Sequence, residues 1–147
     1  MFDTQIYDQV ITESGMTQLL NKLSTQGRLK ILTTHIQQDE IKAIPDEEKK
    51  LAIQEIVTEL VNTSGAVYGV SKWGMATWGD GSSGGFSIDE VRSESKGHTK
   101  DALIATTAAR DADVIVTEDK RLVNRLKQLG VQTKVWSFAD LKTHLFP

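Results

Sequence analysis

Four acids in this chain have the residue type and spacing to do chemistry. Asp101 stands near the start of Thr99-Lys100-Asp101-Ala102-Leu103-Ile104-Ala105, the opening of an Ala-rich segment. Asp119 follows the short apolar run Val114-Ile115-Val116 by way of Thr117-Glu118. The first segment reads as a helix with Asp101 in its first turn and small side chains that let it pack close to a sheet. The second reads as a buried strand with an acid just past its end. Loops at the carboxyl ends of parallel strands are where open α/β sheets bind ligands. Asp3, directly after Met1-Phe2, and Glu40, in the helix after residues 29–33, recur at the same predicted edge. Converging carboxylates repel one another unless a cation sits among them, and hard divalent ions such as Mg2+ or Mn2+ prefer oxygen ligands. In two-metal sites, ions about 3.5 to 4 Å apart clamp the attacking water and the leaving oxygen of a phosphodiester. Asp101 or Asp119 alone reads better as a partner of a helix dipole; the four together shift the reading to a metal-dependent hydrolase.

Other chemistries fit less well. The histidines, His35, His98 and His144, are too few and too scattered for a zinc cage, and there is no Gly-rich phosphate loop of the NTPase type. With no cysteine there is neither a disulfide framework nor thiolate catalysis. The formal net charge of -3 disfavours a polyanionic partner until the site is considered. With the four candidate acids set aside, the other 16 of the 20 are outnumbered by 17 Lys and Arg. The balance then stands neutral on nucleic acid, because charge acts through its distribution. No apolar run approaches the roughly 20 residues of a membrane span, and the amino terminus lacks the basic and apolar regions of a signal peptide. The expectation is a soluble, cytoplasmic protein with no membrane partner.

The elements that must position these acids follow from periodicity. With 147 residues and 39% hydrophobic content, the chain is expected to be a single domain with one core. Residues 1–3 read as a very short strand, 6–11 and 16–23 as amphipathic helices broken near Ser14-Gly15, and 29–33 as a second strand. Residues 35–43 are helical, and Pro45 opens a longer helix with acids at its start and a stripe of Ile53, Ile56, Val57 and Leu60. Residues 66–70, 113–117 and 134–136 are the third to fifth strands. Helices span 100–110 and 119–129, the latter stopped by Gly130, and Ser137 caps a last helix over 138–145. Alternating strands and helices imply an α/β fold, a three-layer α/β/α sandwich with a central parallel sheet of about five strands.

One stretch is irregular. Residues 71–97 hold Trp73, Trp78 and the run Gly79-Asp80-Gly81-Ser82-Ser83-Gly84-Gly85, too much glycine for a helix or a central strand. It reads as an insertion, a loop or hairpin tip. Trp73 and Trp78 beside Lys72 could stack on single-stranded bases, although such tryptophans more often cover an apolar edge or serve a protein partner. Lys96, Lys100, Lys120 and Arg121 flank the acids and are candidate phosphate contacts, against the plainer reading of a solvated charged face. His98 could assist proton transfer, and a loop histidine without that role is the better reading.

Asp3-Thr4-Gln5-Ile6-Tyr7, Gln38-Asp39-Glu40-Ile41, Lys100-Asp101-Ala102-Leu103-Ile104-Ala105 and Val114-Ile115-Val116-Thr117-Glu118-Asp119 together resemble, in order, the four motifs of the PIN domain family. The resemblance spans almost the whole chain outside 71–97, and its third and fourth motifs are the specific ones. It implies the parallel-sheet sandwich, a metal-dependent ribonuclease, Mg2+ or Mn2+ as cofactor, and Asp3, Glu40, Asp101 and Asp119 as metal ligands. It also implies RNA as substrate, an antitoxin protein as partner and a homodimer. The first motif has Gln5 where the family usually has Asn. Asp39 and Glu40 are alternatives, of which Glu40 shares a helical face with Ile36 and Ile44; Glu118 and Asp119 are alternatives too, of which Asp119 matches the Thr-x-Asp pattern. A DNA-directed nuclease with the same site and a catalytically idle PIN-like binding module are the competing functions. A phosphoacceptor receiver domain fits less well, since Asp3 is a lone acid and no aspartate ends the third expected strand.

Overall fold

The computed structural model describes residues 1–66, 70–77 and 99–146. Helices α1 (Ile6–Thr12) and α2 (Met16–Thr25) come first, then strand β1 (Leu32–Thr33) and helices α3 (His35–Lys42) and α4 (Glu47–Gln54). Strand β2 (Glu59–Leu60) and helix α5 (Thr99–Asp111) follow. Strand β3 (Val114–Val116), helix α6 (Lys120–Leu129), strand β4 (Lys134–Trp136) and helix α7 (Phe138–Leu145) complete the order.

The fold is mixed α/β, but among the described residues the central sheet of about five strands is not formed. Instead β1 pairs with β2 and β3 with β4, in two small parallel sheets. The expected first strand is a single parallel bridge between Phe2 and Val116, flanked by Val116 N donating to Met1 O at 3.0 Å and Asp3 N donating to Val116 O at 2.9 Å. Strand length is the physical reason. Of the expected second strand only Leu32 and Thr33 enter a ladder, and among the described residues no strand exceeds three residues.

The helix after Pro45 also departs from its sequence pattern. It stops at Gln54, and β2 lies where the stripe was expected to continue, with Val57 and Leu60 exposed. Asn21 on α2 meets the chain at the break. Its amide donates to Glu55 O at 2.8 Å and accepts from Val57 N at 2.9 Å, which satisfies the helix end from another element. The chain then pairs with β1 through Glu59 N to Ile31 O and Val61 N to Thr33 O, both 2.8 Å. The third strand expected over 66–70 lies mainly outside the described residues, as do Trp78, Lys96, His98 and most of the expected insertion.

Short as the strands are, their residues alternate between two cores as a pleat requires. Met1, Leu32 and Ile115 pack with Leu103, Ala105 and Ala108 of α5 and Leu122 and Leu126 of α6. Phe2, Ile31 and Val116 pack with Ile6 and Tyr7 of α1, Leu20 of α2, Ile53 of α4 and Phe138 of α7. Every residue of α5 from Ala102 to Ala108 is buried. Two of them are threonines, and both take up Ser64: Ser64 Oγ donates to Thr106 Oγ1 at 2.6 Å and Ser64 N to Thr107 Oγ1 at 3.0 Å.

Candidate functional site

Asp3 is held by its own backbone hydrogen bond to Val116, which puts its carboxylate beside the end of β3. Thr117, the next residue after β3 and 1% exposed, donates its hydroxyl proton to Asp3 Oδ2 at 2.7 Å. The same hydroxyl oxygen accepts from Asp119 N at 3.1 Å. One buried threonine thus ties two of the predicted acids together. Gln5 adds a second donor, Nε2 to Asp3 Oδ2 at 2.9 Å. Asp119 is the N-cap of α6, its Oδ1 accepting from Arg121 N at 2.8 Å and Leu122 N at 3.3 Å.

Glu40 is carried by α3, whose start is set by a capping box between Thr34 and Gln37. The Gln37 side-chain amide also donates to Phe2 O, which ties α3 to the segment bearing Asp3. Thr4 then donates its hydroxyl to Glu40 Oε2 at 2.6 Å. On the other side, Lys100 Nζ lies 4.0 Å from Glu40 Oε1, across the contact between α3 and α5. Asp101 is half-buried in the first turn of α5, one residue from Lys100.

The neighbouring acids have other partners. Asp39 bonds Lys72, whose Nζ donates to Oδ1 at 2.6 Å; that hydrogen bond, with the charges of Lys72, Lys42 and His35, holds the Asp39 carboxyl below its usual range. Glu118 accepts from Phe138 N at 2.8 Å and so serves the start of α7. Lys120 and Arg121 are exposed in the first turn of α6.

Asp3 and Asp119 are therefore linked through one hydroxyl and Glu40 has Thr4 and Lys100 as its partners, but the four acids do not converge on one point. Among the described residues, no three Asp, Glu or His side chains stand close enough together to hold a metal ion. The donor chemistry nonetheless fits a hard divalent cation. All four groups are carboxylates, and no hydrogen bond from a described residue reaches Asp3 Oδ1 or Asp119 Oδ2. Sequence reasoning missed the orienting residues Thr4, Gln5 and Thr117. Thr117 alone left a signal, as the hydroxyl residue two places before Asp119 at a strand end.

A cavity of about 570 Å3 lies elsewhere. Lys30, Asp113, Val114 and Trp136 are among the residues that line it, and none of the four acids takes part. Among the described residues, no helix is long and apolar enough to cross a membrane. Compared with protein-family models, with curated proteins and with solved structures, the chain matches none.

Proposed function

We propose that the chain is a cytoplasmic, metal-dependent endoribonuclease of the PIN type, with Asp3, Glu40, Asp101 and Asp119 as the residues that would hold Mg2+ or Mn2+. The observation that carries the reading is the Thr117 hydroxyl joining Asp3 to Asp119 just past β3, where the fourth motif ends. When bound, the cation supplies electrostatic stabilisation of the charge developing on a phosphodiester and acidifies water. The chain's residues do the positioning. Thr117 and Gln5 orient the Asp3 carboxylate, leaving Oδ1 for a ligand, and Thr4 does the same for Glu40 through Oε2. Lys100 offsets part of the negative charge around Glu40 and is a candidate phosphate contact, with Lys120 and Arg121 further along the same edge. On the same reading an antitoxin protein and a second copy of the chain are the expected partners.

The separation of the acids favours one competing reading, an idle module that binds RNA or protein without cutting. A cleavage assay on RNA and DNA pools, with Mn2+ and with chelator, separates the two. RNA cleavage that needs metal and is abolished by Asp101→Asn is the expected result, together with a rise in Tm on adding Mn2+ because the ion binds only the folded state. No cleavage and no Tm shift at millimolar metal would leave the idle module, and equal cutting of DNA would widen the substrate class.

A further inference from the structure

The cavity of about 570 Å3 has the size of a small-molecule pocket, for which about 300 to 1,000 Å3 is usual. Its floor is apolar. Phe2, Ile31 and Leu141, all buried, belong to it, and Trp136 stacks on His144 with ring centroids 4.0 Å apart and planes 25° apart. The charged lining residues Arg28, Lys30, Asp111 and Asp113 are all exposed and so stand at the rim. Two of them are already neutralised. Lys30 pairs with Glu59 at 3.2 Å, and Asp111 accepts from Arg110 at 2.5 and 2.7 Å. The other two are not. Among the described residues, neither the Arg28 guanidinium nor the Asp113 carboxylate has an ion-pair partner, and they do not pair with each other. Burial brings the Met1 amino group down to about 5 against the pull of the Asp113 charge, so it is neutral at neutral pH and leaves that charge standing.

We propose that this cavity binds a free amino acid with an apolar side chain, its carboxylate on Arg28, its ammonium on Asp113 and its side chain on the apolar floor beside Trp136. One unpaired charge of each sign over such a floor is complementary to a zwitterion with an apolar body. A simple anion would be set against Asp113 and a simple cation against Arg28, and like charges brought together cost affinity. The apolar floor adds binding in proportion to the area it covers, and a few placed polar groups fix the orientation. The inference is independent of the nuclease reading, since none of Asp3, Glu40, Asp101 and Asp119 lines the cavity.

The test is isothermal titration of the full chain with three ligands that share one ring: L-phenylalanine, phenylpropionate, which lacks the ammonium, and phenethylamine, which lacks the carboxylate. L-Phenylalanine should bind tightest. Arg28→Gln should weaken L-phenylalanine and phenylpropionate roughly five- to fiftyfold and spare phenethylamine. Asp113→Asn should weaken L-phenylalanine and phenethylamine by a similar factor and spare phenylpropionate. Both side chains are exposed, so neither substitution disturbs the core. Binding should also shift the methyl NMR signals of Leu141 and Leu145, which line the cavity. No heat with L-phenylalanine at millimolar concentration overturns the proposal, as do equal affinities for the three ligands. Binding that leaves those methyl signals in place, or that both variants weaken alike for every ligand, overturns it too.

Discussion

Replacing Thr117 by Val is the most direct probe of the candidate site, because valine has nearly the same shape and removes only the hydroxyl. Two hydrogen bonds go with it, the 2.7 Å bond to the Asp3 carboxylate and the 3.1 Å bond from Asp119 N. A bond to a charged group contributes about 1.5 to 3 kcal/mol and a neutral one about 0.5 to 1.5 kcal/mol. Gln5 still serves Asp3 at 2.9 Å, and the new buried methyl returns part of the loss, so the net cost should be about 2 kcal/mol. Urea unfolding at neutral pH reads this as a lower midpoint at unchanged m. Thr117→Ser should recover most of it. A double-mutant cycle with Asp3→Ala should give a coupling of about 1 to 3 kcal/mol, the share of the loss that belongs to Asp3. Metal-dependent cleavage by Thr117→Val should fall as well, since Asp3 loses its orientation. A loss below about 0.5 kcal/mol with no coupling would refute the claim that Thr117 organises these acids.

Two further predictions concern the scaffold. Burial pushes the Tyr7 hydroxyl up to about 12, offset in part by Thr33 beside it, and neither hydroxyl meets hydrogen-bond geometry with any group. Since the folded value lies above the unfolded value of 10.0, the stability from keeping Tyr7 neutral is present below pH 10 and is lost between there and about 12. Tyr7→Phe should hold or raise stability at neutral pH and flatten that alkaline loss, as measured by urea midpoints against pH. Asn21→Ala removes both bonds at the end of α4 and should cost about 1 to 2 kcal/mol, with faster amide exchange at Val57 and little change in α5.

Local chemistry made part of the fold legible. Residues 134–136 form the expected strand and 138–145 the expected helix, because Ser137 builds a capping box with Asp140 from neighbours in sequence. Gly130 ends α6 in the left-handed conformation for the same kind of reason. The end of the helix after Pro45 is not legible in its apolar stripe, because the groups at that end are satisfied by Asn21, far away in sequence. The central sheet was overestimated because apolar runs mark burial, whereas a ladder also needs a partner strand in register. Among the described residues, two of the run 29–33 and three each of 113–117 and 134–136 find one, while residues 1–3 form a single bridge.

The candidate site divides along the same line. The sequence alone determined which acids follow the short strands and open the helices, since a strand end and a helix start are properties of local pattern. It also determined that all four donors are hard oxygens. Tertiary structure decided how they are disposed: Thr117 spans Asp3 and Asp119, Thr4 holds Glu40, and Lys100 stands 4.0 Å from Glu40 Oε1. Hydrogen-bond partners separated by 36 to 114 positions depend on how the chain closes on itself, which no local pattern encodes.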